Sequence, residues 1–133
     1  MPNLLFFEQV IFSFLTGNAD KHLKNFSLVK LPHIGYSLSP AYDMVSSRLM
    51  IKDDKEELAL NLNGKKRKLN KYDFIEAMKR FDIDTPVVEN IFRKFQTSYV
   101  KWDEFIKISF IPDNMKIDYI ELIKERMYRL NLI

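Results

Sequence analysis

Not one cysteine occurs among the 133 residues. Disulfides and thiolate metal sites are therefore excluded, which fits a reducing compartment. Glycine is nearly as scarce. Gly17, Gly35 and Gly64 stand alone, so the chain carries no Gly-rich cluster of the kind that covers phosphates. No stretch reaches the roughly 18 consecutive apolar residues of a membrane span. The apolar start, "MPNLLFFEQVIFSFLTG", is interrupted by Glu8 and Gln9. It has no basic leader and no small-residue cleavage site, so it does not read as a signal peptide. A soluble cytoplasmic protein without membrane contact is the expectation. A dominant charge sign is lacking too: 21 Lys and Arg stand among 18 Asp and Glu, for a net charge of +3. Direct nucleic-acid binding is not expected from such a balance. Only "GKKRKLNK", residues 64–71, is locally basic, and it reads as a solvated turn.

What is present is apolar content of 47%, which makes the chain globular rather than disordered, on a length that supports one domain with a real core. Residues 3–15 carry apolar side chains on nearly every turn, which predicts a helix buried on most sides and stopped by Thr16-Gly17-Asn18. "NFSLVKL", the turn "PHIG" and "YSLSP" predict a hairpin ended by Pro40. In "ELALNLNGKKRKL", Leu58, Leu60 and Leu62 alternate with Ala59 and Asn61, which predicts a second β piece with a tight turn at Asn63-Gly64. Three helices are expected after it. Asn70 caps the first, with Phe74, Ala77, Met78 and Phe81 inward. Thr85 caps the second with Pro86 at its first position, and its inward stripe runs from Val88 through Phe95, Trp102, Phe105 and Ile106. Pro112-Asp113 opens the third, with Ile117, Ile120, Ile123, Met127 and Leu130 inward. The class is α+β, mostly helical.

The chemistry concentrates in "FLTGNADKHLKNFSL", residues 14–28, where a buried helix hands over to a hairpin. Such a junction is a rigid place for catalytic side chains. Asp20 and Asn25 are separated by four residues, the spacing at which kinases place a substrate-orienting Asp and a Mg²⁺-binding Asn. Asp43, in "LSPAYDMVSS", is the second acid that completes such a metal site after the hairpin. Each residue also has a plain structural reading. Asp20 can cap a turn, Asn25 can be a turn residue, and Asp43 can cap a helix over "MVSS".

The pair "GNADKHLKNFSL" and "LSPAYDM" resembles the catalytic loop and metal-binding segment of HipA-like kinases, the toxin half of a bacterial toxin–antitoxin module. "LALNLNGK" before a helix, the helix containing Trp102 and the terminal "ERMYRL" resemble that family's order of elements. The resemblance covers nearly the whole chain, residues 1–133. It implies a protein-kinase-like C-terminal lobe whose small β hairpins carry the catalytic and metal loops. It implies Ser/Thr kinase chemistry with ATP and Mg²⁺, Asp20 as catalytic base, and Asn25 and Asp43 as metal ligands. His22 stands where many kinases carry a phosphate-approaching Lys. It is assigned to the nucleotide site, with a structural hydrogen bond as the alternative.

A kinase also needs an N-terminal lobe, which supplies the loop over the phosphates and the Lys that pairs with them. The chain is therefore expected to be half a kinase: a fragment, a truncated product or one subunit of a split enzyme. The expected partners are a protein substrate and either an N-lobe subunit or a helix-turn-helix antitoxin. An apolar docking surface for the other lobe is expected around the first helix and the hairpin, at Leu4, Phe7 and Ile11. Two other functions compete: a non-catalytic kinase remnant that binds an antitoxin, and a small-molecule phosphotransferase of the aminoglycoside kinase type.

Overall fold

The computed structural model describes residues 2–133. Helix α1 (Pro2–Leu15) begins at a proline, whose missing N–H costs nothing in a first turn. It ends in a Schellman motif. Gly17 takes φ +75°, its N–H donates to Phe14 O at 3.3 Å, and the Asn18 N–H reaches back to Ser13 O at 2.8 Å. The chain then makes a short 3-10 turn at Leu23–Asn25 and enters strands β1 (Leu28–Leu31) and β2 (Gly35–Leu38). These pair antiparallel, with Leu28 opposite Leu38 and Leu31 opposite Gly35. The connection bends through His33 and Gly35, at φ 64° and 97°. A single-turn helix, α2 (Ser47–Met50), follows, then α3 (Lys71–Arg80), α4 (Thr85–Lys107) and α5 (Asp113–Arg129).

Helix α1 lies at the centre. Phe7, Ile11, Phe14 and Leu15 are fully enclosed by Phe74 and Met78 of α3, Ile91, Phe92 and Phe95 of α4, and Ile123 and Met127 of α5. The Phe14 ring meets Phe74 edge-on at 5.2 Å, and the Arg126 guanidinium lies 4.6 Å from the centroid of the same Phe14 ring. Arg126 is buried, and its Nη1 donates to Phe14 O at 2.8 Å, tying α5 to the end of α1. Burial lowers its pKa, and the Glu57 carboxylate opposes that shift.

The helix over 3–15, the hairpin, the Asn63-Gly64 turn and the Asn70 cap agree with expectation. Asn63 and Gly64 have φ 51° and 75°, as a type I′ turn requires. Asn70 and Asp73 form a reciprocal capping box. Other expectations are corrected. Residues 58–62 are not a strand. Leu58, Ala59 and Leu62 are buried while Asn61 is exposed, so burial does not alternate, and the N–H groups of Glu57 and Leu58 both turn to Lys66 O. Only an isolated bridge, Leu62 to Lys65, survives. The cap of α4 is Asp84, with Thr85 already helical. Phe105 and Ile117 are 74% and 60% exposed, so each stands outside the inward stripe expected of its helix, although Ile106 still packs on the core and the α5 stripe is buried from Ile123 onward. Phe81 is half exposed, its ring resting edge-on against Phe7 at 5.3 Å. Trp102 is half-buried against Phe12. Phe7 and Ile11 are core, at 1% and 0% exposure, and cannot form a docking surface. The exposed apolar side chains in this region are Leu5 and, on the hairpin, Leu28, Val29, Leu31, Ile34 and Tyr36.

Candidate functional site

The Schellman end of α1 delivers the chain into residues 18–25, and α2 holds that loop from behind. Gly17 O accepts the Arg48 N–H at 2.9 Å, and the Ala19 N–H donates to Ser47 Oγ at 2.9 Å. Asn18 is buried, and its Oδ1 accepts the Asp20 N–H at 3.1 Å. The local turn thus sets the direction in which Asp20 leaves the loop.

Asp20 itself is open to solvent, with 69% of its side chain exposed, and its Oδ1 lies 3.4 Å from His22 Nε2. Asn25 is buried at the far end of the 3-10 turn. Its Oδ1 accepts the His22 N–H at 3.0 Å, which aims the amide nitrogen outward to Asp43. Asn25 Nδ2 donates to Asp43 Oδ2 at 2.7 Å, across 18 positions of sequence. Asp43 sits at φ 53°, a left-handed conformation that Asp tolerates better than most residues, and that aims its carboxylate back at the loop. It caps no helix: α2 starts at Ser47 with Ser46 as its cap.

Asn25 and Asp43 are thus directly joined, and Asp20 and His22 form a second pair on the same short loop. Lys21, which residue spacing did not single out, lies between them. It is buried, and its Nζ donates to Asn25 O and Tyr42 O at 3.1 Å each. Burial lowers its pKa, opposed by the nearby Asp43 carboxylate. No sequence signal marks Lys21: its Nζ lies over the rings of Phe26 and Tyr42, at 4.5 and 5.4 Å, but Tyr42 is 21 positions away.

The donor set suits a magnesium ion. Asp43 Oδ1 makes no hydrogen bond among the described residues, and Asn25 Oδ1 keeps a second lone pair beyond the His22 N–H. Both are hard oxygen donors. Mg²⁺ is usually held by one or two protein side chains together with substrate phosphates. No cluster of three His, Cys, Asp or Glu placed for a metal occurs among the described residues, so a caged metal site is not formed. A cleft of about 1020 Å³ lies elsewhere, between α2, α5 and the basic turn. Arg48, Arg67 and Arg129 line it together with Asp54, Glu57 and Glu121, and none of Asp20, His22, Asn25 and Asp43 does. Among the described residues no helix is long and apolar enough to cross a membrane.

Comparison with known proteins identifies the family and the fold. A curated relative from Sinorhizobium fredii (strain NBRC 101917 / NGR234), Y4dM, a kinase by name only, is 40% identical over 62 residues. That match covers 47% of this chain and 15% of the relative. A chain in the solved complex of the Shewanella oneidensis MR-1 toxin–antitoxin system HipA, HipB and its operator DNA superposes with a TM-score of 0.74 at 18% identity. The superposition covers 96% of this chain and 31% of that one, so it bears on the fold alone. Residues 3–102, which contain α1, the loop, the hairpin, Asp43 and most of α4, match the HipA-like C-terminal domain, and the chain belongs to that family.

Proposed function

We propose that this domain is the C-terminal catalytic lobe of a HipA-like serine/threonine protein kinase, which transfers the γ-phosphate of ATP to a protein hydroxyl when an N-terminal lobe completes the site. The observation that carries this reading is the Asn25–Asp43 contact at 2.7 Å, which unites the two segments a kinase uses for its metal. The kinase name of the Sinorhizobium relative supports the same class.

The roles follow from placement. Asp20 is exposed and so accessible to an incoming hydroxyl, whose proton it accepts or orients. His22, 3.4 Å away, steers the Asp20 carboxylate or meets a phosphate oxygen. Asn25 and Asp43 hold Mg²⁺ through one amide and one carboxylate oxygen. When bound, Mg²⁺ neutralises charge on the transferring phosphoryl group. The surface is open around Asp20, and phosphoryl transfer depends on positioning and electrostatics, so an N-lobe is needed to exclude water and hold the triphosphate. The presence of HipB in the neighbour's complex makes a helix-turn-helix antitoxin the proposed regulatory partner.

The test is calorimetric titration of ATP–Mg²⁺ into this chain, alone and with the N-lobe of a HipA-like protein supplied. Binding that requires the N-lobe is expected. If nucleotide binds in neither case, the second reading stands: a non-catalytic module that captures a partner. The hairpin favours that reading, because Leu28, Val29, Leu31, Ile34 and Tyr36 leave apolar side chains exposed on both of its faces.

A further inference from the structure

Lys21 is the one buried lysine among the described residues, at 3% exposure. A buried ammonium is costly unless its donors are met. Here two of its three N–H groups go to main-chain carbonyls, each at 3.1 Å, and two aromatic faces flank it. The identity of those carbonyls matters. One belongs to Asn25 itself; the other belongs to Tyr42, the residue immediately before Asp43. A single side chain therefore grips the backbone of both partners of the Asn25–Asp43 contact. It does so without pairing with the Asp43 carboxylate, whose Oδ2 is left to Asn25 and whose Oδ1 stays open.

We propose that Lys21 is the positioning residue of this site: its ammonium clamps the Asn25 and Tyr42 carbonyls together and so fixes the separation between the Asn25 amide and the Asp43 carboxylate. Its meaning for metal binding rests on the kinase reading above; the clamp itself does not. The neighbouring tether, Ser27 Oγ to the Tyr42 hydroxyl at 2.6 Å, lies on the exposed side and leaves the inner separation to Lys21. A lysine used merely to fill space would not need both acceptors to come from the two segments that carry the candidate ligands.

The test uses the whole chain, ¹⁵N-labelled, together with the unlabelled N-lobe of a HipA-like protein, and Mn²⁺ plus ATP as the paramagnetic probe. In the wild type the Asn25 side-chain amide signal, identified by its response to Asp43→Asn, should show one hydrogen-bonded proton. Lys21→Gln, whose neutral planar amide is one atom shorter and cannot place its donors as the ammonium does, should fold, lose that signature and bind Mn²⁺ about tenfold more weakly, as loss of outer-shell support does elsewhere. Lys21→Met should do the same more strongly. An unchanged amide signature with unchanged Mn²⁺ affinity in folded Lys21→Gln overturns the proposal, as does tighter Mn²⁺ binding, which would make Lys21 a competitor for the ion. If the wild type binds no Mn²⁺ yet its amide signature responds to Lys21→Gln, the metal reading fails and the clamp stands. If both variants fail to fold, acetylation of the wild type decides. Lys21 protected while exposed Lys24 reacts supports the clamp, and equal reactivity overturns it.

Discussion

Asn25 Nδ2 lies 2.7 Å from Asp43 Oδ2, although a loop, a hairpin and a turn separate them in sequence. The two residues are expected to act as a unit on divalent metal. Asp43→Asn removes the charged oxygen, so with an N-lobe supplied both Mg²⁺-dependent ATP affinity and phosphorylation of a protein acceptor should fall. Asn25→Ala should show the same pattern more weakly, because a neutral ligand contributes less to a hard cation. The double variant should lose less than the sum of the two, as coupled sites do. Calorimetry at fixed Mg²⁺ beside a phosphorylation assay reads all three.

Asp20 should separate from that pair. Its side chain points to solvent and contacts neither Asn25 nor Asp43 by hydrogen bond among the described residues. Asp20→Asn should therefore leave ATP affinity nearly unchanged while transfer drops by about 10²–10⁴-fold, the range for losing a positioned general base. Lost nucleotide affinity in Asp20→Asn, with affinity retained in Asp43→Asn, would reverse the two roles.

Local chemistry was legible in the sequence wherever it acts over a few residues. Asn70 with Asp73 three positions on is a capping box by spacing alone, and the Thr16-Gly17-Asn18 stop is a Schellman end because only a glycine takes that φ cheaply. The Asp20–Asn25 spacing and the later Asp43 were readable for another reason, their kinase-like spacing and order along the chain. What depends on neighbours was not. Periodicity shows which side of α4 is apolar, not where its neighbours stop, so Phe105 reads as core and stands 74% exposed. Alternation at 58–62 needs a partner strand to become β structure. Lys66 O accepts the N–H groups of Glu57 and Leu58 instead, and among the described residues no strand lies beside residues 58–62 to continue a ladder. Lys21 was missed because a lysine's ordinary place is the surface, and its acceptors come from Asn25 and from Tyr42, 21 positions away.

Asp73 predicts an acid-sensitive step in stability. Burial acts to raise its pKa, but the Lys65 ammonium, the Asn63 amide and the Asn70 N–H outweigh it and hold the carboxyl below the usual range. A carboxylate whose folded pKa is depressed contributes stability above its unfolded value, and that contribution is lost as pH falls through the folded one. The urea midpoint of the wild type should therefore drop below about pH 4, and the drop should be shallower in Asp73→Asn. At neutral pH Asp73→Ala, which also breaks the capping box, should cost about 2–3 kcal/mol. A pH profile of Asp73→Asn that parallels the wild type through that range would remove Asp73 as the cause.

Gly17 joins the core to the loop, so its substitution tests whether fold stability and site geometry are coupled. Its φ of +75° disfavours any side chain, and a Cβ there would lie 2.5 Å from Leu122 Cδ2 and 3.0 Å from Ser46 Oγ. Leu122 is on α5 and Ser46 caps α2, the element whose Ser47 Oγ and Arg48 N–H hold the loop. Gly17→Ala must therefore strain its own backbone and displace the Leu122 side chain, while crowding Ser46 and Arg48 at α2, at a cost of about 1–3 kcal/mol. Because α2 pins Ala19, the displacement should reach Asp20 first, whereas Asn25 and Asp43 are held to each other by their own contact. The expected outcome is a lowered Tm, faster amide exchange at Ala19 and Asp20, and phosphoryl transfer reduced more than ATP affinity. Equal loss of exchange protection throughout residues 18–25 would mean that the loop moves as one body and that α2 is not what orients Asp20.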